Sequence, residues 1–205
     1  METRYFDEAG PQYSAETVAL SIARAQQLGL RQLVLATDTG KTARQALAML
    51  PQGFELVVVS NPAGLSLPVK KLHDSWPAAR AHRERIEATG VASLPASISD
   101  EEMQSLRALG AIVLRMDWKL FVGFAKTPLK ALDMFSAGVR VAVACSVAAY
   151  QAGAVQEGEL LALGGTGFAG GGADSAIVLQ VSSSWSQWRI LELLAKPRLG
   201  PPSET

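Results

Sequence analysis

Apolar residues follow two spacings along this chain. Leu33-Val34-Leu35-Ala36, Leu56-Val57-Val58-Val59, Ile112-Val113-Leu114 and Leu160-Leu161-Ala162-Leu163 are short unbroken runs, the pattern of strands covered on both faces. Between them Val18, Ile22, Ala25 and Leu28, and later Met103, Leu106 and Leu109, recur every three or four positions, as one face of a helix does. The first pattern predicts a helix from Ser14 to Leu28 stopped by Gly29, a strand over 33–36, a helix over 42–50, a break at Pro51-Gln52-Gly53 and a strand over 55–60. Ser99-Asp100-Glu101-Glu102 reads as a capping box opening a helix that Gly110 ends, with a strand over 112–115 after it. Trp118 and Phe121 follow at helical spacing. A helix from Thr127-Pro128 through Phe135, closed by Gly138, is expected to lead into a strand at Val141–Cys145, which puts Ser146 at a strand's carboxyl end. The last third predicts strands over 160–163, 176–181 and 188–194, with a glycine-rich loop, 164–172, between the first two.

Strands that alternate with helices lie parallel through right-handed crossovers. The loop over 164–172 is too short for a crossover helix, so the final strands are antiparallel. The expected architecture is therefore α/β: a three-layer α/β/α sandwich around a mixed, mostly parallel sheet with an antiparallel strand at its edge. A single domain over 1–198 is expected, with residues 62–99 as an insertion or lid and 199–205 as a frayed tail. Pro62, Gly64, Pro68, Pro77 and Pro95 punctuate that insertion, which holds one polar helix over 78–89 and both histidines, His73 and His82. His73-Asp74 and His82-x-Glu84 match no metal signature, so no metal site is expected.

Composition narrows the function classes. The chain has 205 residues, 48% hydrophobic and 19% charged, and its 19 basic residues balance 19 acidic ones. That suits a globule with a full core and gives no broad positive field for nucleic acid. The amino terminus lacks a basic cap followed by an apolar core, and no apolar run reaches membrane-spanning length, which predicts a cytoplasmic protein without membrane partners. Cys145 stands alone, so no internal disulfide forms, and its apolar neighbours make it a small core residue.

The chemistry concentrates where the first strand ends. Thr37-Asp38-Thr39-Gly40-Lys41-Thr42 joins strand to helix, where the unpaired amides of a first helical turn carry partial positive charge. Those amides, the threonine hydroxyls and Lys41 can together hold a phosphate. Gly40-Lys41-Thr42 resembles the end of a P-loop, but Leu35 stands where that motif needs its first glycine. Gly165-x-Gly167-x-x-Gly170 spells a dinucleotide fingerprint, yet a strand pattern follows it where a helix is required. What remains is a run of exposed amides able to close over an anion, or a hairpin loop. No serine elbow, cysteine–histidine pair or spaced carboxylate pair appears, so catalytic residues stay unassigned. Lys41 as an electrophile and Asp38 as a base stand beside their plainer roles as anion anchor and turn residue.

With those residues in view, Ala36-Thr37-Asp38-Thr39-Gly40-Lys41-Thr42-Ala43 resembles the strand–turn–helix of the pyruvate kinase C-terminal domain. Glu157 to Gly167, followed by Asp174-Ser175-Ala176-Ile177-Val178, is similar to that domain's strand, glycine-rich effector loop and returning edge strand. The whole chain resembles the stand-alone pyruvate kinase α/β-domain-like proteins of microbes, with its early Tyr5-Phe6, Leu28-Gly29, Gly172-Ala173-Asp174-Ser175-Ala176 and late Lys196-Pro197-Arg198. The resemblance implies a sheet of about five strands and no pyruvate kinase activity. It implies a phosphate held by Thr37, Thr39, Gly40, Lys41 and Thr42, beside Asp38, and covered by Gly164, Gly165, Thr166, Gly167 and the loop to Asp174. That loop has no arginine, unlike many effector loops of the kinase. Sugar phosphates and mononucleotides, flavin mononucleotide (FMN) among them, fit such a site, with Trp118 or the segment 65–76 as a wall for a flavin ring. A binding or regulatory domain, a small enzyme at the same site (a phosphate-ester hydrolase or an FMN-dependent oxidoreductase) and a homo-oligomerisation module all follow from it.

Overall fold

The computed structural model describes residues 2–68, 87–90, 93–124, 128–165 and 172–199. Seven of the described strands form one sheet in the order β1 (Arg4–Phe6), β9 (Arg189–Pro197), β8 (Ser175–Val181), β7 (Gly158–Gly164), β2 (Gln32–Ala36), β3 (Glu55–Ser60) and β6 (Ile112–Arg115). β7, β2, β3 and β6 are mutually parallel. β8 runs against both its neighbours, and β1 lies parallel to β9. Every strand of the sheet except β8 thus points the same way. The antiparallel part lies toward the β1 edge, and the sheet is the mixed, mostly parallel one expected. It has seven strands rather than about five: the four parallel strands β7, β2, β3 and β6 are extended by β8 and β9, and residues 4–6 add β1 at the edge. Beyond β1, Thr3 Oγ1 donates to Leu193 O, 190 positions along the chain. β4 (Ser66–Pro68) and β5 (Ser93–Pro95) form a separate antiparallel ribbon.

Alternation along the central strands divides the core in two. Leu33, Leu35, Leu56, Val58, Leu161 and Leu163 turn to one face. There they pack with Val18 and Ile22 of α1 (Ser14–Leu28), Ala43 and Ala46 of α2 (Lys41–Met49) and Met103 and Leu106 of α3 (Asp100–Ala108). Val34, Val57, Val59, Leu160 and Ala162 turn to the other face, against Val139, Ala142, Val143 and Ala149 of α5 (Ala137–Gln151). Helices on both faces leave no water-facing position over residues 33–35 of β2 or 160–164 of β7, which is why those stretches read as continuous apolar runs.

Several helix signals act as read. Gly29 ends α1 in the left-handed conformation (φ 70°). Ser99 Oγ accepts the Glu102 amide at 3.1 Å, opening α3. The expected strand at Val141–Cys145 is instead the middle of α5. Its run of Val, Ala and Cys is apolar because residues 142–145 are all buried, and an apolar run of that length has no period to separate strand from helix. The deciding signal is Ser136, whose Oγ caps the helix by accepting the Val139 amide at 3.0 Å. Ser146 consequently sits in mid-helix, its hydroxyl bonded to Ala142 O at 2.9 Å, and not at a strand end. Residues 128–134 form a 3-10 turn rather than a full α-helix, preceded by the short α4 (Trp118–Phe124).

α5 approaches the sheet closely where two glycines meet. A Cβ on Gly164 would fall on Gly138 O and within 2.8 Å of the Ala142 amide nitrogen, both backbone atoms. Neither can move without shifting the helix, so Gly164→Ala is expected to lower stability by about 1–3 kcal/mol through overpacking, read as a reduced urea midpoint with secondary structure retained.

Candidate functional site at the carboxyl edge of β2

The β2–α2 junction is built by its own polar residues. Thr37 continues the ladder one position past β2, its amide donating to Val59 O at 3.0 Å. Its buried hydroxyl accepts the Gly40 amide, also at 3.0 Å, so Thr37 shapes the turn rather than facing solvent. Gly40 takes the left-handed conformation (φ 81°) as the residue before α2, and Arg44 N to Gly40 O, 2.9 Å, is the first helical bond. The amides of Lys41, Thr42 and Ala43 precede that bond and project from the sheet's carboxyl end. Lys41 N lies 3.5 Å from Thr39 Oγ1, a marginal contact. The side chains of Thr39 and Lys41 are exposed, and Thr42 is buried.

Two acids border this turn. Asp38 is half-buried, and its Oδ1 accepts from Asn61 Nδ2 at 2.7 Å; Asn61 also donates to Ala96 O at 2.9 Å. Ser60 Oγ accepts the Ile98 amide and Ser97 Oγ donates to Asn61 O. The end of β3 is thereby laced to residues 96–98, the return limb of the insertion. Asp38 also reaches Cys145 electrostatically: burial first, and the Asp38 charge second, push that thiol up to about 12. Glu102 is the other acid. It takes a two-bonded grip from Arg44 (Nε to Oε1 2.7 Å, Nη2 to Oε2 2.6 Å), and Arg44 Nη2 also reaches Ser105 Oγ at 2.7 Å. That pairing raises the Arg44 pKa above its ordinary value. The carboxylate rests on Gly40 where any Cβ would collide with it.

β7 flanks β2 on the side away from β3, with Leu35 opposite Leu163. Thr37 and Gly165 therefore leave the sheet side by side. The chain goes from β2 to β3 on one side, and reaches β7 on the other side only after β6. That reversal is a topological switch point, where open α/β sheets form a ligand crevice. Of the expected covering residues, Gly164 and Gly165 lie at this crevice, whereas Thr166 and Gly167 lie outside the described residues.

Asp174 sits one strand further along, in a joint with no exposure. Its Oδ2 accepts the Gly10 amide at 3.2 Å and its Oδ1 the Ser175 hydroxyl at 3.0 Å; Ser175 Oγ meets Ser136 Oγ at 2.8 Å. Ser14 Oγ accepts the Ala173 amide at 3.0 Å. The stem of the glycine loop is thus fastened to the amino-terminal segment and to the start of α5. Trp118 is half-exposed just past β6, two strands from β2, with Phe121 packed edge-on at 5.9 Å. Residues 69–76 and both histidines lie outside the described residues. The Arg44–Glu102 pair was not foreseen, because it joins residues 58 positions apart with no local spacing to mark it. No protein-family model matches the chain.

Two outcomes test this geometry. Gly40→Ala forces a side chain into a left-handed backbone and into Glu102, and is expected to cost about 1–2 kcal/mol, measured by urea denaturation. A thiol held near 12 is neutral throughout pH 6–9, so Cys145 is expected to resist iodoacetamide in the native protein over that range and to be labelled promptly in denaturant.

Proposed function

We propose that this chain binds a phosphorylated small molecule at the carboxyl edge of its sheet, between the ends of β2 and β7, in a binding or regulatory role. The observation that carries the reading is the parallel adjacency of β2 and β7 at the switch point, which sets the Thr37–Thr42 turn beside Gly164 and Gly165. A phosphate there meets the amides of the first turn of α2 and the positive end of that helix. Lys41, exposed and one residue into α2, supplies full charge, and Thr39 an exposed hydroxyl. Glu102 and Asp38 approach from the side of β3 and β6, so the β7 side is the one free of acid from these two residues. Glycine at 164 and 165 lets a ligand come close to backbone amides. Sugar phosphates and mononucleotides such as FMN are the ligand classes this supports.

Mass spectrometry of small molecules released on denaturing the freshly purified protein identifies the occupant, followed by titration of that compound. The double variant Thr39→Ala/Lys41→Ala is expected to weaken its binding at least about tenfold, the loss of one charge-assisted hydrogen bond or more. The melting temperature should stay put, because both side chains are exposed. Unchanged affinity in a folded variant overturns the reading.

A further inference from the structure

At the opposite end of the sheet, the β8–β9 connection, Ser182-Ser183-Ser184-Trp185-Ser186-Gln187-Trp188, sets two tryptophans against Tyr150 at the end of α5. Trp188 is fixed: its Nε1 donates to Ser182 O at 2.7 Å, and Tyr150 meets its ring edge-on at 6.0 Å. Trp185 leans on Trp188 with centroids 5.2 Å apart and rings tilted by 41°, yet stays 54% exposed. An indole braced from behind and open in front is a preorganised stacking surface.

Around it stands a rim of neutral and acidic hydrogen-bonding groups. Ser182 Oγ donates to Gln187 Oε1 at 2.9 Å, which holds the amide and leaves its NH2 to donate elsewhere. Glu157 lies 3.5 Å from both Ser182 Oγ and Tyr150 OH. Hydrogen bonds from the Ser183 amide and hydroxyl keep its carboxyl below the usual carboxylate range, so it is an acceptor at neutral pH. Ser184 and Ser186 add hydroxyls, paired with each other at 2.8 Å. Arg189, the cation that follows the loop, spends Nη1 on the carbonyls of Ser186 and Trp188.

We infer that this loop is a binding platform for a neutral sugar ring of a glycan, stacked by its apolar C–H face on Trp185 and held at its hydroxyls by Glu157 and Gln187. A sugar presents an apolar face with hydroxyls around its edge, which matches an aromatic plate rimmed by a carboxylate, an amide and hydroxyls. A nucleic-acid strand would also stack, but its phosphates would face Glu157, with Arg189 turned to the backbone. The platform is at the far end of the strands from the β2–α2 turn, so it stands independently of the proposed phosphate site.

The test titrates the whole chain with four neutral hexasaccharides, malto-, cello-, manno- and chitohexaose, following tryptophan emission and calorimetric heat. The expected result is saturable binding of at least one of them, weakened about tenfold or more by Trp185→Ala and by Glu157→Gln at least threefold, with the melting temperature of the Trp185 variant unchanged and binding retained by Lys41→Ala. Saturable binding to none of the four, or binding indifferent to Trp185→Ala, overturns the inference. So does a wild-type chain that sediments as a dimer which Trp185→Ala splits into monomers, since the surface then belongs to a second copy.

Discussion

Parallel pairing of β2 with β7 is the joint on which this fold depends. It is made by three residue pairs, Leu33–Leu161, Val34–Ala162 and Leu35–Leu163, each buried between helices. It connects the part of the sheet that runs outward through β3 to β6 with the part that runs through β8 and β9 to β1. Side chains on one face of that pairing engage α1, and those on the other engage α5, so both helical layers are registered from the same two strands. A slip of one residue would exchange the two faces of a strand. Leucine on one face and the smaller valine and alanine on the other make the exchange costly, because α5 comes within backbone contact of β7 at Gly138 and Gly164.

How far sequence carried into structure can be followed element by element. β3, β6 and α3 fall where expected and α1 ends where expected, near local signals: Ser99 caps α3, Gly29 closes α1 and a Pro-x-Gly break precedes β3, whereas Ser14 is the first residue of α1 and does not cap it. α5 was misread because residues 142–146 are all buried and apolar but for Ser146, so that stretch shows no helical polar stripe. The lone serine at 136, one residue before it, was the sole local mark. β1 was missed because three residues, two of them exposed, carry no pattern without the β9 partner that pairs with them. The Thr37–Thr42 turn was legible as a candidate site, since strand, glycine and helix are contiguous there. Its flanking partners were not: Glu102 arrives from α3 and Asn61 from just past the end of β3, and only the folded sheet sets them around Gly40 and Asp38.

The electrostatics of the turn follow from the same layout. The α2 amino terminus is a centre of partial positive charge, and the protein places one carboxylate against it, tied to Arg44, and a second at Asp38, tied to Asn61. Each acid is held by a specific donor and thereby kept in place. Among the described residues the exposed pair at the turn, Thr39 and Lys41, makes no comparable side-chain pairing, which concentrates the adaptable polar groups on one side of a rigid edge.

The bond between Thr3 and Leu193, and the strand pairing just beyond it, has a consequence for synthesis. A chain emerging amino end first delivers β1 long before β9 exists, so that strand waits unpaired until the last part of the sheet is made. Contacts of such sequence separation are slow to close, and an unpaired strand invites association with other chains. Completion of this sheet therefore waits until β9 has been made, and β1, though earliest of these strands along the chain, is among the last to find its place.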